Sequence, residues 1–341
     1  MAVTRWQWGR EADAGSLYFG GHSLLHNFAE FDHAKVRVLE GIQDSGSHFR
    51  FPLLVAPVAG SYWEAFSPYG YTSMPQGPPL TLDEVSTLTV FLRQQQVIDL
   101  FLRHNPWQAS QDIFSPNFSA QAGVVFSLDI RGFHSEAHND LSRVPQKRRS
   151  TLRKALSGNI TVRVTPASKA TEEQRASFQT IYLKTMEDNG ARKFYRFDRP
   201  FFLRLFEESS ESLFLFEAVD RDAGVTVASA LFIGGNDSYL HYFLSGALAE
   251  ARSSNAVDLI IFRAAQYFSE RGCSFLNLGG ATALSGDGLR TFKRNWSSQQ
   301  HPYFVSKLIC DDEAYYNLRS DIKNKDDAIF LLRDLKQLEL T

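Results

Sequence analysis

The chain has 341 residues, beyond the size at which one hydrophobic core stops growing, so two domains of ordinary size are expected. Hydrophobic residues make up 43% and charged residues 22%, which excludes a disordered chain, and a net charge of -2 excludes a uniformly basic nucleic-acid binder. The opening MAVTRWQWGREADAG carries charges where a signal peptide needs an apolar run, and no later stretch has the length of a membrane span. A cytoplasmic location is the expectation. Cys273 and Cys310 cannot build a metal cluster alone and read as packing residues, so no metal is expected. No cofactor is expected either. Phenylalanine is abundant, 28 residues against 3 Met, which points to ring-rich packing between helices and sheet.

In chain order, AKVRVLEGI and HFRFPLLVAPVAG flank a Gly and Ser break and predict an antiparallel hairpin. YWEAFSPYGYTSMPQGPPL is crowded with prolines and aromatics and predicts an ordered loop. In LTLDEVSTLTVFLRQQQ, Thr81 with Glu84 three residues on is a capping-box signature ahead of helical spacing. VIDLFLRHNPW and AGVVFSLDI read as buried strands.

Composition changes sharply from Leu141 to Thr171, where Arg143, Lys147, Arg148, Arg149, Arg153, Lys154, Arg163 and Lys169 occur without an acid. This marks the expected junction: an N-terminal domain over 1–143, a C-terminal domain over 144–308, and a helical segment over 309–341 whose DAIFLLRDLKQLEL packs back on the first domain. Pro145 in the first turn and Gly158 at the end frame a helix over QKRRSTLRKAL that presents Arg149 and Arg153 on one face. The strand ITVRVTP, a helix over ATEEQRASFQTIYLKTMEDNG and a short amphipathic helix over PFFLRLFEES come next. Three strands in SLFLFEAVDRDAGVTVASALFIGGNDSYLHYFLSGAL are separated by Asp-Ala-Gly and Gly-Gly-Asn-Asp turns. A helix ending at Gly272, the strand CSFLNLGG and the helix GLRTFKRNW complete the second half. This order predicts an α/β (α+β) fold, with helices on a mixed, mainly antiparallel sheet.

FSPYGYTSMPQGPPL, KRRSTLRKAL before a strand, YRFDRPFF, HYFLSGA ending a strand, and NLGGATALSGDGLRTFKRNW, taken in order, resemble the Fem-type aminoacyltransferases. That family is a branch of the Gcn5-related N-acetyltransferase (GNAT) superfamily. The resemblance covers most of the chain and implies tandem GNAT-like domains, an aminoacyl-tRNA donor, and an amine acceptor on a peptide or amino-acid-like molecule such as a peptidoglycan precursor. It also implies that Lys293, in the Phe-Lys pair with Phe292, stabilises an oxyanion or leaving oxygen during amide formation. A solvated helix lysine beside a core phenylalanine is the competing reading.

Tyr242 matches a ring of the family's active site, and a satisfied core tyrosine is its alternative. His241, its neighbour, points to the opposite face by strand alternation and is assigned no catalytic role. Ser67, Tyr69 and Tyr71, held by Pro68 and Gly70, match an acceptor-binding loop or form an inter-element turn. Arg196, Arg199 and Arg294 are candidate substrate contacts, although Phe197 stands where relatives that bind nucleotide sugars have arginine. Lys147, Arg148, Arg149, Arg153 and Lys154 are candidate tRNA contacts, or an ordinary solvated helix face. The stretch EARSSNAVDL has Arg252 but lacks the glycine pair that lets a backbone approach a pyrophosphate, which argues against coenzyme A. The alternative activity is N-acyl transfer from acyl-coenzyme A or an acyl carrier to a sugar or metabolite amine. A silent binding module is a third.

Overall fold

In the computed structural model, the residues described are 5–43, 48–71, 80–107, 119–134, 140–191, 195–208, 212–234, 238–249, 251–282 and 287–320. They form two compact units, Met1–Gly123 with Pro302–Thr341, and Val124–His301. The expected junction at 143 therefore lies inside the second unit. Phe126, Leu128, Ile130, Phe133 and Leu141 already belong to that unit's core, and the change in charge after Leu141 records a basic helix rather than a boundary. Residues 302–308, expected in the second domain, belong to the first unit. The segment DAIFLLRDLKQLEL lies outside the described residues.

The first unit opens with β1 (Arg5–Gly9), α1 (Gly21–Phe31), β2 (Lys35–Ile42), β3 (His48–Ala59), β4 (Tyr62–Phe66), α2 (Leu82–Gln94) and β5 (Val97–Arg103). Next come β6 (Ser119–Asp129), which belongs to the second unit from Val124 on, and, within that unit, α3 (Gln146–Ser157), β7 (Ile160–Pro166), α4 (Glu172–Asp188), α5 (Arg199–Glu207), β8 (Leu213–Asp220), β9 (Thr226–Gly234), β10 (Tyr239–Ala247), α6 (Ala251–Ser254), α7 (Ala256–Ser269), β11 (Phe275–Thr282) and α8 (Asp287–Trp296). The chain then returns through β12 (Gln299–Ile309) to α9 (Asp312–Ser320).

In the first unit the strand order is β1-β2-β3-β4-β5-β12, with β4 and β5 parallel and the other pairs antiparallel. In the second the order is β6-β11-β10-β9-β8-β7, where β8 to β10 form an antiparallel meander, β7 pairs antiparallel with β8 across the helices α4 and α5, and β10 and β11 are parallel. Each unit thus repeats strand, helix, three-strand meander, crossover helix, parallel strand. The crossovers α2 and α7 are required because parallel neighbours cannot be joined by a tight turn.

Local chemistry accounts for the helices. Thr81 and Glu84 form the full capping box of α2, and Thr171 and Gln174 form that of α4. Asp198 caps α5 by accepting from the Phe201 N–H. Pro145 is the N-cap residue of α3 rather than its first helical residue. The expected loop over YWEAFSPYGYTSMPQGPPL is corrected in its first residues: YWEAF is β4, which pairs antiparallel with β3, and 72–79 lie outside the described residues.

The second unit's core packs α7 and α3 against the sheet through Phe216, Phe232, Leu240, Leu259, Phe262, Phe268, Leu276 and Trp296. Phenylalanine packing also fixes α4 to α5: Phe197 stacks on Phe201 at 4.2 Å, and Phe178, Tyr182, Phe202 and Phe206 close around them. The first unit's core places α2 on Leu53, Ala65, Leu100 and Leu308.

Candidate active site at the parting of two parallel strands

β10 and β11 pair from Tyr239–Phe275 through Leu240–Leu276 to His241–Asn277, and no later pair is formed among the described residues, although β10 continues to Ala247 and β11 to Thr282. A bulge between Tyr242 and Leu244 turns β10 at the same place. Leu240 and Leu276 join the α7-side core, so alternation sends His241 and Asn277 to the other face.

Asn277 clamps the point of parting from both sides. Its amide Nδ2 donates to His241 Nδ1 at 3.0 Å, and its Oδ1 accepts the Gly279 N–H at 2.7 Å. Because an amide nitrogen can only donate, the His241 ring carries its proton on Nε2. Burial pushes the His241 pKa down to about 4, so the ring is neutral at physiological pH. Gly279 holds φ +80, and a Cβ there would stand 3.1 Å from the Lys293 Nζ. The positive φ favours glycine here, and a Cβ would also crowd the ammonium.

Lys293 reaches back from α8 and donates to the Gly280 carbonyl at 2.8 Å. Burial pushes its pKa down to about 8, so it is mainly an ammonium at pH 7, with donors left over after the Gly280 bond. A cation held against carbonyl oxygen at a sheet opening can meet developing negative charge without first reorganising.

The helix carrying Lys293 is fastened by a buried cluster. Arg148 on α3 lies over the Phe292 ring at 4.5 Å, donates from Nη2 to the Phe292 carbonyl at 3.3 Å, and pairs through Nη1 with Asp258 Oδ1 at 3.3 Å. The Trp296 indole N–H donates to the same oxygen at 2.8 Å. Burial pushes the Asp258 pKa up, with Arg148 and Trp296 opposing the shift. Tyr242 packs on Phe232 at 5.2 Å, and burial lifts its pKa to about 12, so its phenol stays protonated.

The other candidates divide plainly. Ser67 is corrected: it is fully buried in the first unit, where Oγ accepts the Arg103 N–H at 2.8 Å and its carbonyl accepts from Arg103 Nη1. It locks the end of the β4–β5 pair and has no surface for a substrate. Tyr69 and Tyr71 are half-buried; the Tyr69 carbonyl accepts from Tyr18 Oη, and the Tyr71 ring meets Trp107 and Tyr303 edge-on. Gly70 at φ +96 lets the Phe19 ring press against the backbone between them. Arg196 is exposed and donates to the Ala191 carbonyl, Arg199 is exposed at the start of α5, and Arg294 is exposed on α8. No contact joins these arginines to Lys293 among the described residues.

Among the basic residues of α3, Arg148 is the correction. Its side chain is only 13% exposed, and it serves α8 and Asp258 rather than a polyanion. Arg149, about 100° around the helix, donates to the Val144 and Ser142 carbonyls, and with Arg153 it lines an open groove of about 430 Å³ beside Asp140, Ser142 and Ser157. Lys147, Arg153 and Lys154 are exposed. The Arg252 side chain lies outside the described residues. Asn277, Asp258 and Trp296 are absent from the sequence-based candidates; the Asn of NLGG and the Trp closing TFKRNW are the available signals, but polar side chains on a strand and a helix do not reveal their partners.

No family model matches the chain, and no curated protein matches its sequence. Solved structures do match. FemX is similar over 92% of this chain and 99% of its own, with 12% identity and a TM-score of 0.59. The C-terminal domain of a putative lysylphosphatidylglycerol synthetase from Agrobacterium fabrum is similar over 87% of this chain and 90% of its own, with 15% identity and a TM-score of 0.54. A tandem GNAT protein from the clavulanic acid biosynthesis pathway is similar over 89% of this chain and 98% of its own, with 10% identity and a TM-score of 0.51. At these identities the likeness shows the fold, and the tandem GNAT protein among these structures makes it a tandem GNAT-like one.

Proposed function

We propose that the chain is an acyltransferase that moves an aminoacyl group from aminoacyl-tRNA to an amine, with Lys293 as its catalytic cation. The carrying observation is the Lys293 ammonium, held 2.8 Å from the Gly280 carbonyl where β10 and β11 part, with its pKa pushed down to about 8. The amine nitrogen attacks the ester carbonyl, and a C–N bond forms as the C–O bond to the 3′-oxygen breaks. The proton lost by the amine ends on the departing oxygen as a tRNA hydroxyl. Lys293 stabilises the negative charge that develops on oxygen during this exchange. Tyr242 on β10 keeps a neutral phenol, hydrogen-bonded to Ser245, and is proposed as a polar contact of the site.

The donor assignment is supported by Lys147, Arg153 and Lys154, exposed on one helix, with Arg149 beside them. It is also supported by the β10–α7 connection, where a short helix, α6, and Asn255 in the left-handed region occupy a stretch without glycine. A charged tRNA donor places the reaction in the cytosol. The acceptor is a peptide or amino-acid-like amine. Lys293→Met is expected to lower turnover about 10²-fold or more with an unchanged circular dichroism spectrum. Full activity in a folded Lys293→Met protein contradicts the assignment.

A further inference from the structure

We infer that Arg148 and Asp258 form a positioning lock that seats α8 and thereby sets the environment of Lys293, an inference that rests on the proposed role of Lys293. Four contacts build it. Arg148 reaches the Phe292 ring and the Phe292 carbonyl, which is the residue immediately before Lys293, and pairs with Asp258 on α7. The Trp296 indole, one helical turn after Phe292, donates to the same Asp258 oxygen. One carboxylate therefore ties both Arg148 and Trp296, and one guanidinium ties α3, α7 and α8.

The pair is nearly sealed, at 13% and 9% side-chain exposure, and Trp296 is fully buried. Ion pairs buried to this degree seldom add stability over well-packed apolar residues, so geometry is the more telling reason for one here. Arginine suits the task because its planar fork can stack on a ring and donate in two directions at once, which a lysine cannot do.

Burial is the sole resolved cause of the lowered Lys293 pKa, with no neighbouring charge contributing. That pKa therefore gauges how well α8 is seated. Loss of the Arg148 charge alone would leave it in place, while an unseated helix would admit water and raise it.

The test is competitive acylation of the Lys293 amine with acetic anhydride across pH, read by mass spectrometry, in Arg148→Met, Arg148→Lys, Trp296→Phe and Arg148→Met/Asp258→Asn. The double variant leaves no uncompensated buried charge, which protects folding if the single variants are unstable. Wild type is expected to titrate near 8. Both Arg148 single variants and the double variant should rise by about one unit or more toward the free-lysine value, and Trp296→Phe by less. Turnover should fall about tenfold or more in the Arg148 variants with KM unchanged, since no substrate contact is removed. A Lys293 that still titrates near 8 in the folded double variant overturns the lock. Because labelling reads the amine without turnover, the lock can stand even if Lys293→Met proves active, and each idea fails separately.

Discussion

Lys293 carries most of the chemical argument, and its protonation makes two predictions of opposite sense. Transfer that needs the ammonium should lose rate as pH rises through about 8, and Lys293→Met should abolish that alkaline limb along with most of the activity. Stability runs the other way. The folded pKa lies below the free-lysine value of 10.5, so between the two the unfolded chain binds more protons, and this residue's contribution to stability rises with pH across that window. Lys293→Met should therefore be more stable than wild type at pH 7, on the order of 1 kcal/mol after allowing for its half-buried position, with the difference fading above pH 10.5. Urea midpoints at several pH values measure this; a less stable Met variant at pH 7 counts against the burial argument. His241 gives a second check. Its folded pKa of about 4 lies below 6.5, so stability should fall as pH drops from 6.5 toward 4, and His241→Gln should flatten that part of the wild-type curve. The Phe-Lys pair is legible in sequence, but the depressed pKa is not, because burial depends on how α8 meets β11. Arg148 shows the same limit: a run of bases does not say which one turns inward.

At the scale of elements, local signals are legible in the sequence and distant pairings are not. The capping boxes at Thr81 and Thr171 bind only near neighbours, so their residues announce them. The meander β8–β9–β10 is marked by its turn residues. By contrast, α1 and β12 carry no signal that sequence reasoning detects, and β4 is hidden because the proline-rich stretch after it dominates the pattern. Ser67 is obscured for the related reason that its partner, Arg103, is 36 residues away. The turn after Asn277 allows a sharp test of element geometry. Gly279→Ala must hold φ +80 and place Cβ 3.1 Å from Lys293 Nζ, so it should cost about 1–3 kcal/mol and lower turnover. Gly280→Ala, whose Cβ would meet only ordinary contacts at 3.7 Å, should be close to neutral in stability. Equal effects of the two substitutions, measured by thermal melts and turnover, would show that the turn conformation does not position Lys293.

For the whole molecule, length predicts two units and element order predicts helices on mixed sheets, but the junction falls elsewhere because the compositional change at Leu141 marks a helix, not a boundary. The repeat of strand, helix, meander, crossover and parallel strand is topological, and no short-period sequence repeat gives it away. A net charge of -2 leaves tRNA binding to a local surface, for which the exposed bases of α3 are the candidates. Neutralising Lys147, Arg153 or Lys154 should each reduce the slope of log affinity for tRNA against log salt by about one, whereas Arg148→Gln should leave the slope unchanged. Slopes that do not respond to the three exposed positions would move the RNA contact elsewhere. The most direct measurement is amide formation from purified, radiolabelled aminoacyl-tRNA offered to a panel of amines and short peptides, with and without prior RNase treatment, in parallel with acyl-coenzyme A. A tRNA-dependent transferase yields label in an amide product only from intact charged tRNA; product that survives RNase, or that forms from acyl-coenzyme A alone, rules that donor out.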